Sequence, residues 1–254
     1  MLSLVGLGFG TPDHLTIEGK HILKRADCIY IESYTSKLSA PLKAYEDALD
    51  TTVSYVYREN MEQDMNALIE EAKNKHIAVG IIGDVFSATT HSAVYTEAVS
   101  QGVTVQVSHN TSIFNAISST GLQLYKFGKT TSIVAPQGSW LPHSPLYAIK
   151  ENLERGLHTM CLLDIKVSED KSMYMSCKEA LDILLNIQAA ENVEVLNSKQ
   201  RVIYTKNIGL QSQEVATGTV QSPPIMKKGP LQTLVIPGEM HESEEEMLEI
   251  QSRK

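Results

Sequence analysis

Over the first hundred residues, short apolar runs alternate with stretches in which apolar positions recur every three or four residues. Leu2-Ser-Leu-Val-Gly-Leu-Gly8 is strand-like, and Leu15, Ile22, Leu23 and Ala26 then fall at helical spacing. Cys28–Ile31 predicts a second strand, Ala40–Leu49 a second helix and Thr52–Val56 a third, weaker strand. Asn60 reads as the N-cap of a helix carrying Met61, Met65, Leu68, Ile69 and Ala72. Ile77-Ala-Val-Gly-Ile-Ile82 is the kind of run a buried parallel strand shows. A helix over Ser92–Ser100 and a strand over Val103–Val107 complete the series. This β-α alternation predicts a parallel sheet covered by helices.

From about residue 115 the rhythm changes. Ser132–Ala135, Thr159–Leu163, Arg201–Lys206, Gln213–Val220 and Leu231–Ile236 read as strands, with helices over Leu146–Arg155 and Ser176–Ala190. The last strands follow one another without helices between them, which implies hairpins and a mixed sheet. The expected organisation is an α/β protein of two domains, residues 1–115 with a parallel sheet and residues 116–254 with a mixed one. Met240–Ile250 closes the chain as an acidic helix, and its Glu run reads as a solvated face.

Composition narrows the function classes. A net charge of −8 argues against binding nucleic acid through phosphate neutralisation. Cys28, Cys161 and Cys177 form no C-x-x-C pair, so neither a metal site nor a disulfide framework is expected. No apolar run reaches membrane-spanning length, and no basic stretch precedes the first strand as in a signal peptide. A cytoplasmic protein handling small molecules, or meeting a basic surface on a partner, is expected.

Three stretches carry candidate chemistry. Gly6-Leu-Gly-Phe-Gly10 follows the first strand, yet Thr11 and Pro12 break the G-x-G-x-x-G fingerprint and Pro12 biases Thr11 to extended backbone. Gly83-Asp84-Val85-Phe86-Ser87 and then Ala88–Ser92 leave the fourth strand, with Thr89, Thr90 or Ser92 as a possible cap for the next helix. Ligands bind outside the carboxyl ends of parallel strands, where these loops fall. His109-Asn-Thr-Ser-Ile113 leaves the fifth strand in the same way, entering a helix at Thr111 or Ser112. There is no G-x-x-x-x-G-K-[ST] loop and no G-x-S-x-G elbow, which removes P-loop NTPases and the commonest α/β hydrolases. His76, His91, His109, His143 and His158 lack ligand-like spacing and read as loop or cap residues. Gly121-Leu-Gln-Leu-Tyr-Lys-Phe-Gly128 sets aromatics and a Lys between two glycines, as at a glycine-capped helix end.

Taken together, these segments resemble the diphthine synthase family. The resemblance rests on Leu4–Gly8, Gly83–Ser92, His109–Ile113, Gly121–Gly128, His158–Lys166 and Gly229–Gly238, in order along the whole chain. That family belongs to the tetrapyrrole-methylase-like methyltransferases, which lack the Rossmann methyltransferase fold. The resemblance implies two α/β domains with S-adenosylmethionine in a cleft between them, a homodimer, and S-adenosylhomocysteine as product. It implies methylation of elongation factor 2, on the amine of a histidine carrying a 3-amino-3-carboxypropyl group. Leu122–Lys126 and Thr159–Lys166 look like eukaryotic members, which also methylate the carboxylate, whereas the region after Lys166 is shorter than theirs.

Carried over residue by residue, the cofactor contacts fall on Phe9, Asp84, Ser87, Ser112, Ile113, Leu163, Ile208 and Gln232. Ser87 stands where the family commonly has Gly, and Gln232 where it often has His. The loop before Ile208 differs in length. No side chain is singled out as a catalytic base, and no metal is implied. The alternatives are a tetrapyrrole-type methylase of a small corrin precursor and a non-enzymatic relative that binds elongation factor 2. The corrin methylases would share the glycine loop but not Gly121–Gly128 or Thr159–Lys166. Titration with S-adenosylmethionine separates out the non-enzymatic relative.

Overall fold

The computed structural model describes residues 1–32, 36–56, 65–87, 91–138, 140–167 and 172–253. The chain divides into two compact units, Met1–Asn115 with Lys166–Ser172, and Ala116–Ile165 with Met173–Lys254.

The first unit is built on five parallel strands in the order β3-β2-β4-β1-β5. They are β1 Leu2–Gly6, β2 Cys28–Glu32, β3 Ser54–Val56, β4 Ile77–Ile81 and β5 Val105–Ser108. The helices are α1 Ile17–Arg25, α2 Leu42–Leu49, α3 Met65–Ala72, α4 His91–Ser100 and the single turn α5 Ile113–Ala116. Because side chains alternate across a strand, the apolar runs feed two cores. Leu2, Leu4, Ile77, Val79 and Ile81 pack with Ile69, Ala72, Val94 and Ala98 on one face. Val5, Ala78, Ile29 and Ile31 pack with Ile22, Leu23, Tyr45 and Leu49 on the other. Ser3, buried within β1, is satisfied by His76 Nε2 at 2.8 Å.

The strand order creates a switch point. From β1 the chain crosses β4 to reach β2, and from β4 it crosses β1 to reach β5. The loops leaving β1 and β4 therefore part in opposite directions and open a crevice at the carboxyl edge.

Local chemistry accounts for the element boundaries. Thr16 starts α1 by accepting a hydrogen bond from Gly19 N at 2.9 Å. Thr11 is extended, as Pro12 requires, but Pro12–His14 then forms a 3-10 turn instead of continuing extended. α4 begins at His91, so Ser92 lies inside the helix and is not its cap. Thr89, Thr90, Asn60 and Met61 lie outside the described residues.

The second unit holds a mixed sheet in the order β11-β10-β12-β7-β6, comprising β6 Thr131–Ile133, β7 Thr159–Leu163, β10 Arg201–Lys206, β11 Glu214–Thr219 and β12 Gln232–Ile236. Only the β6–β7 pairing is parallel. α6 Ser144–Leu153 and α7 Cys177–Glu191 contribute Leu146, Ile149, Leu181 and Leu184 to its core, beside Cys161, Tyr204 and Leu234. Ser176 and Glu179 form a capping box at the start of α7. β8 Ile165–Val167 and β9 Ser172–Tyr174 make a separate two-stranded sheet, and α8 Glu242–Ser252 ends the chain.

The Glu run of α8 is solvated as expected at Glu242, Glu245, Glu246 and Glu249, and departs from that expectation at one position. Glu244 is buried, not solvated, at 1% exposure. Its Oε1 accepts from Gln123 N at 2.8 Å and from His158 Nε2 at 3.0 Å, and its Oε2 from His241 N at 2.8 Å and Lys126 Nζ at 2.5 Å. Gly238 N donates to His158 Nδ1 at 3.0 Å, so the ring proton sits on Nε2, facing the carboxylate. This network also accounts for Gly121–Gly128. Gly121 has φ +95°, and a Cβ there would lie 2.6 Å from Met247 Cβ; one at Gly128 would lie 2.1 Å from Asn152 Oδ1. Both glycines are demanded by close packing, Gly121 against Met247 and Gly128 against Asn152.

Candidate active site

At the switch point the loops after β1, β4 and β5 are tied together by main chain and by two side chains. Gly8 and Gly83 exchange hydrogen bonds, N to O, at 3.1 and 2.8 Å. Both have positive φ, +61° and +89°, which glycine adopts without strain. Gly6 leaves no room for a side chain, since a Cβ would meet Asn110 Cβ at 2.8 Å and Gly83 O at 2.9 Å. Asn110 fills that space and donates through Nδ2 to Gly6 O and His14 O, both at 2.9 Å.

Asp84 is the second tie. Its Oδ1 accepts from His109 Nδ1 at 2.8 Å and Asn110 N at 2.9 Å, and its Oδ2 from Ser87 Oγ at 3.2 Å and Phe86 N at 3.3 Å. Burial pushes the carboxyl up, but the hydrogen bonds from Asn110, His109 and Phe86 outweigh it and hold Asp84 below its ordinary range. Asp84 is thus an anion whose acceptor positions already serve the protein. It shapes two loops and supplies a negative potential at the sheet edge.

Of the eight residues carried over from the family, Asp84 and Ser87 are in direct contact. Ser112 joins them through the loop anchored at Asn110 N, and a Cβ on Gly83 would touch Ser112 Cβ at 3.5 Å. Ser112 is buried, its N donating to Asn115 Oδ1 at 2.8 Å and its Oγ accepting from Phe114 N at 3.3 Å. Ile113, half-buried, opens α5. Phe9 follows the bridged Gly8, with its ring edge-on to His14 at 5.2 Å.

Leu163, Ile208 and Gln232 lie in the second unit, at one end of its sheet. Leu163 ends β7, Gln232 begins β12 opposite Lys206, and Ile208 follows β10 by two residues. The Gln232 side chain is committed internally: Oε1 accepts from Cys177 N at 2.9 Å and Nε2 donates to Lys227 O at 3.0 Å. It caps the start of α7, which leaves its main chain for any ligand. Sequence reasoning overlooked His109 and Asn110 as organising residues. Their only signal was their place between a strand and a helix.

Among the described residues no group of three or more His, Cys, Asp or Glu side chains is placed to hold a metal ion. Nor is any helix there long and apolar enough to cross a membrane.

A parallel α/β unit with a glycine–aspartate tie at its switch point, followed by a mixed-sheet α/β unit, matches a known class. Residues 1–224 match the model of the tetrapyrrole (corrin/porphyrin) methylases, and the chain belongs to that family. Within it, the chain is 37% identical over 250 residues to a diphthine synthase of Methanocaldococcus jannaschii, covering 98% of this chain and 97% of the relative. It is 35% identical over 269 residues to the diphthine methyl ester synthase of Mus musculus, covering 98% and 96%. A crystal structure of a protein from Entamoeba histolytica, provisionally named diphthine synthase, superposes with a TM-score of 0.91 at 30% identity, covering 99% and 98% of the two chains.

Proposed function

We propose that this protein is an S-adenosylmethionine-dependent methyltransferase of diphthamide synthesis. In this reading it methylates the amine of a 3-amino-3-carboxypropyl-histidine on elongation factor 2, and the carboxylate as well. The observation that carries it is the extent of the likeness: archaeal and mammalian relatives named for diphthine synthesis align over 98% of the chain. A small corrin or porphyrin substrate is the family-level alternative, and those full-length relatives weigh against it.

The residues at the switch point suit such a cofactor. S-Adenosylmethionine carries a positive sulfonium and ammonium, hydroxyl groups and a flat apolar base. An ionised Asp84, the hydroxyls of Ser87 and Ser112, and the apolar Phe9 and Ile113 offer complementary chemistry. These five residues would hold it. Leu163, Ile208 and Gln232 enter the proposal on family resemblance alone. When bound, the cofactor supplies an electrophilic methyl group whose transfer needs no protonated leaving group. The protein's part is to align, to exclude water and to present an unprotonated nucleophile. In this reading the enzyme is a cytoplasmic homodimer, and its net charge of −8 suits a basic face on the factor.

The test is mass spectrometry of elongation factor 2 bearing the unmethylated intermediate, incubated with this protein and S-adenosylmethionine. A gain of three methyl masses marks the trimethylated amine; a fourth, lost to mild base, marks the methyl ester. No gain despite measured cofactor binding would overturn the substrate assignment.

A further inference from the structure

We propose that His109 is the general base of the amine methylations, held in its basic tautomer by Asp84. The inference rests on the methyltransferase reading above. Asp84 can only accept, so the His109 nitrogen 2.8 Å from its Oδ1 carries a proton, and in the neutral ring the lone pair therefore falls on Nε2. A buried carboxylate fixes the tautomer and orientation of a basic His in this way in serine proteases. One further contact holds the ring itself, and one holds the carboxylate it is bonded to. Phe86 meets it edge-on with centroids 6.0 Å apart, and the neighbouring Asn110 N is bonded to the same carboxylate oxygen. The side chain is 65% exposed, and it stands three residues from Ser112 in one loop.

Among the described residues the following groups bear on this one. Asp84 touches it, and Tyr95 of α4 lies behind Phe86 with ring centroids 5.9 Å apart. From α1, Glu18 bonds the adjacent Ser108 at 3.2 Å. From the turn before α1, His14 contributes its carbonyl to Asn110.

Near neutral pH the substrate amine is an ammonium with no lone pair. In each round His109 Nε2 takes one proton from it. The freed pair then forms the new N–C bond, while the donor's S–C bond breaks and sulfur keeps its electrons. The imidazolium returns the proton to solvent before the next round. Three rounds exchange three N–H bonds for three N–CH3 bonds and release three protons. Methylation of the carboxylate removes no proton and makes no demand on His109.

His109→Asn tests this, because the amide nitrogen of Asn takes the place of Nδ1 and keeps the bond to Asp84 while Nε2 is lost. Affinity for S-adenosylmethionine, by calorimetry, should stay within about threefold, and amine methylation at pH 7 should slow by about 100-fold. The deficit should narrow as pH rises past the pKa of the amine, and any ester formation should keep its rate. In the resting protein, 15N shifts of His109 should report the Nδ1–H tautomer, and Asp84→Ala, which removes the acceptor, should erase that bias. A deficit equal at every pH, or an Nε2–H tautomer in the wild type, overturns the inference alone. A wild type that binds cofactor and methylates nothing overturns the methyltransferase reading with it.

Discussion

Removing the carboxylate of Asp84 is the most direct challenge to the site. Two of its hydrogen bonds are short, 2.8 Å to His109 and 2.9 Å to Asn110 N, and two are longer, at 3.2 and 3.3 Å. Bonds to an ionised group contribute about 1.5–3 kcal/mol each. The side chain is 13% exposed, so the lower end applies. Losing the two short bonds in Asp84→Ala then costs about 3 kcal/mol, or over 100-fold in an equilibrium constant. Asp84→Asn is milder. Its amide settles best with nitrogen at the Oδ2 position, where Ser87 can rotate to accept and Phe86 N can turn to water. Its oxygen keeps His109 and Asn110 as neutral partners, for a loss of about 2 kcal/mol. These bonds order the loops at the sheet edge that the ligand would meet. The loss should therefore appear in S-adenosylmethionine affinity and turnover together. Calorimetric titration of the two variants measures it. Cofactor affinity in Asp84→Ala within threefold of wild type would refute the assignment of this loop to cofactor binding.

Three other perturbations have definite expected outcomes. In Glu244, burial pushes the carboxyl up, but the bonds from Gln123, Lys126, His241 and His158 outweigh it and hold it at about 2, against 4.5 unfolded. That difference gives roughly 3 kcal/mol, present above pH 4.5 and lost as pH falls toward 2. Glu244→Ala should lose about this much in urea unfolding at pH 7 while leaving cofactor affinity within twofold, because Gln123, Lys126 and His158 precede β7, whereas Leu163 ends that strand. Burial lowers His91 to about 4, opposed by a hydrogen bond to the Val85 backbone. The unfolded chain binds a proton there below about 6.5, so stability should fall by roughly 3 kcal/mol between pH 6.5 and 4, and His91→Gln should flatten that span. Gly6→Ala places a methyl 2.8 Å from Asn110 Cβ and should cost about 2 kcal/mol of stability, with a matching weakening of cofactor binding by calorimetry.

What the sequence reveals and what it hides divide along a physical line. The strands of the first unit were legible because a parallel strand buried on both faces must be apolar throughout, and Ile77–Ile81 is buried at every position. The Gly83–Asp84 loop was legible because a glycine and an acid at a strand's carboxyl end are chemistry a helix cap does not need. The pairings between side chains were hidden. Asp84 and His109 stand 25 residues apart, and Glu244 lies 118 residues from Lys126; no local period encodes either contact. The same blindness explains the one departure in α8, at Glu244. A run of glutamates looks solvated wherever its partners are unknown, and one of them is buried because a Lys, a His and two backbone amides converge on it. The cost of burying a carboxylate is met only by a full set of donors, so such a residue marks a place where the fold has been specified from several distant segments at once. Asp84 is the counterpart at the edge of the other sheet. There the donors are loop amides and an exposed imidazole, and the carboxylate that organises them also sets which nitrogen of His109 is left to take a proton.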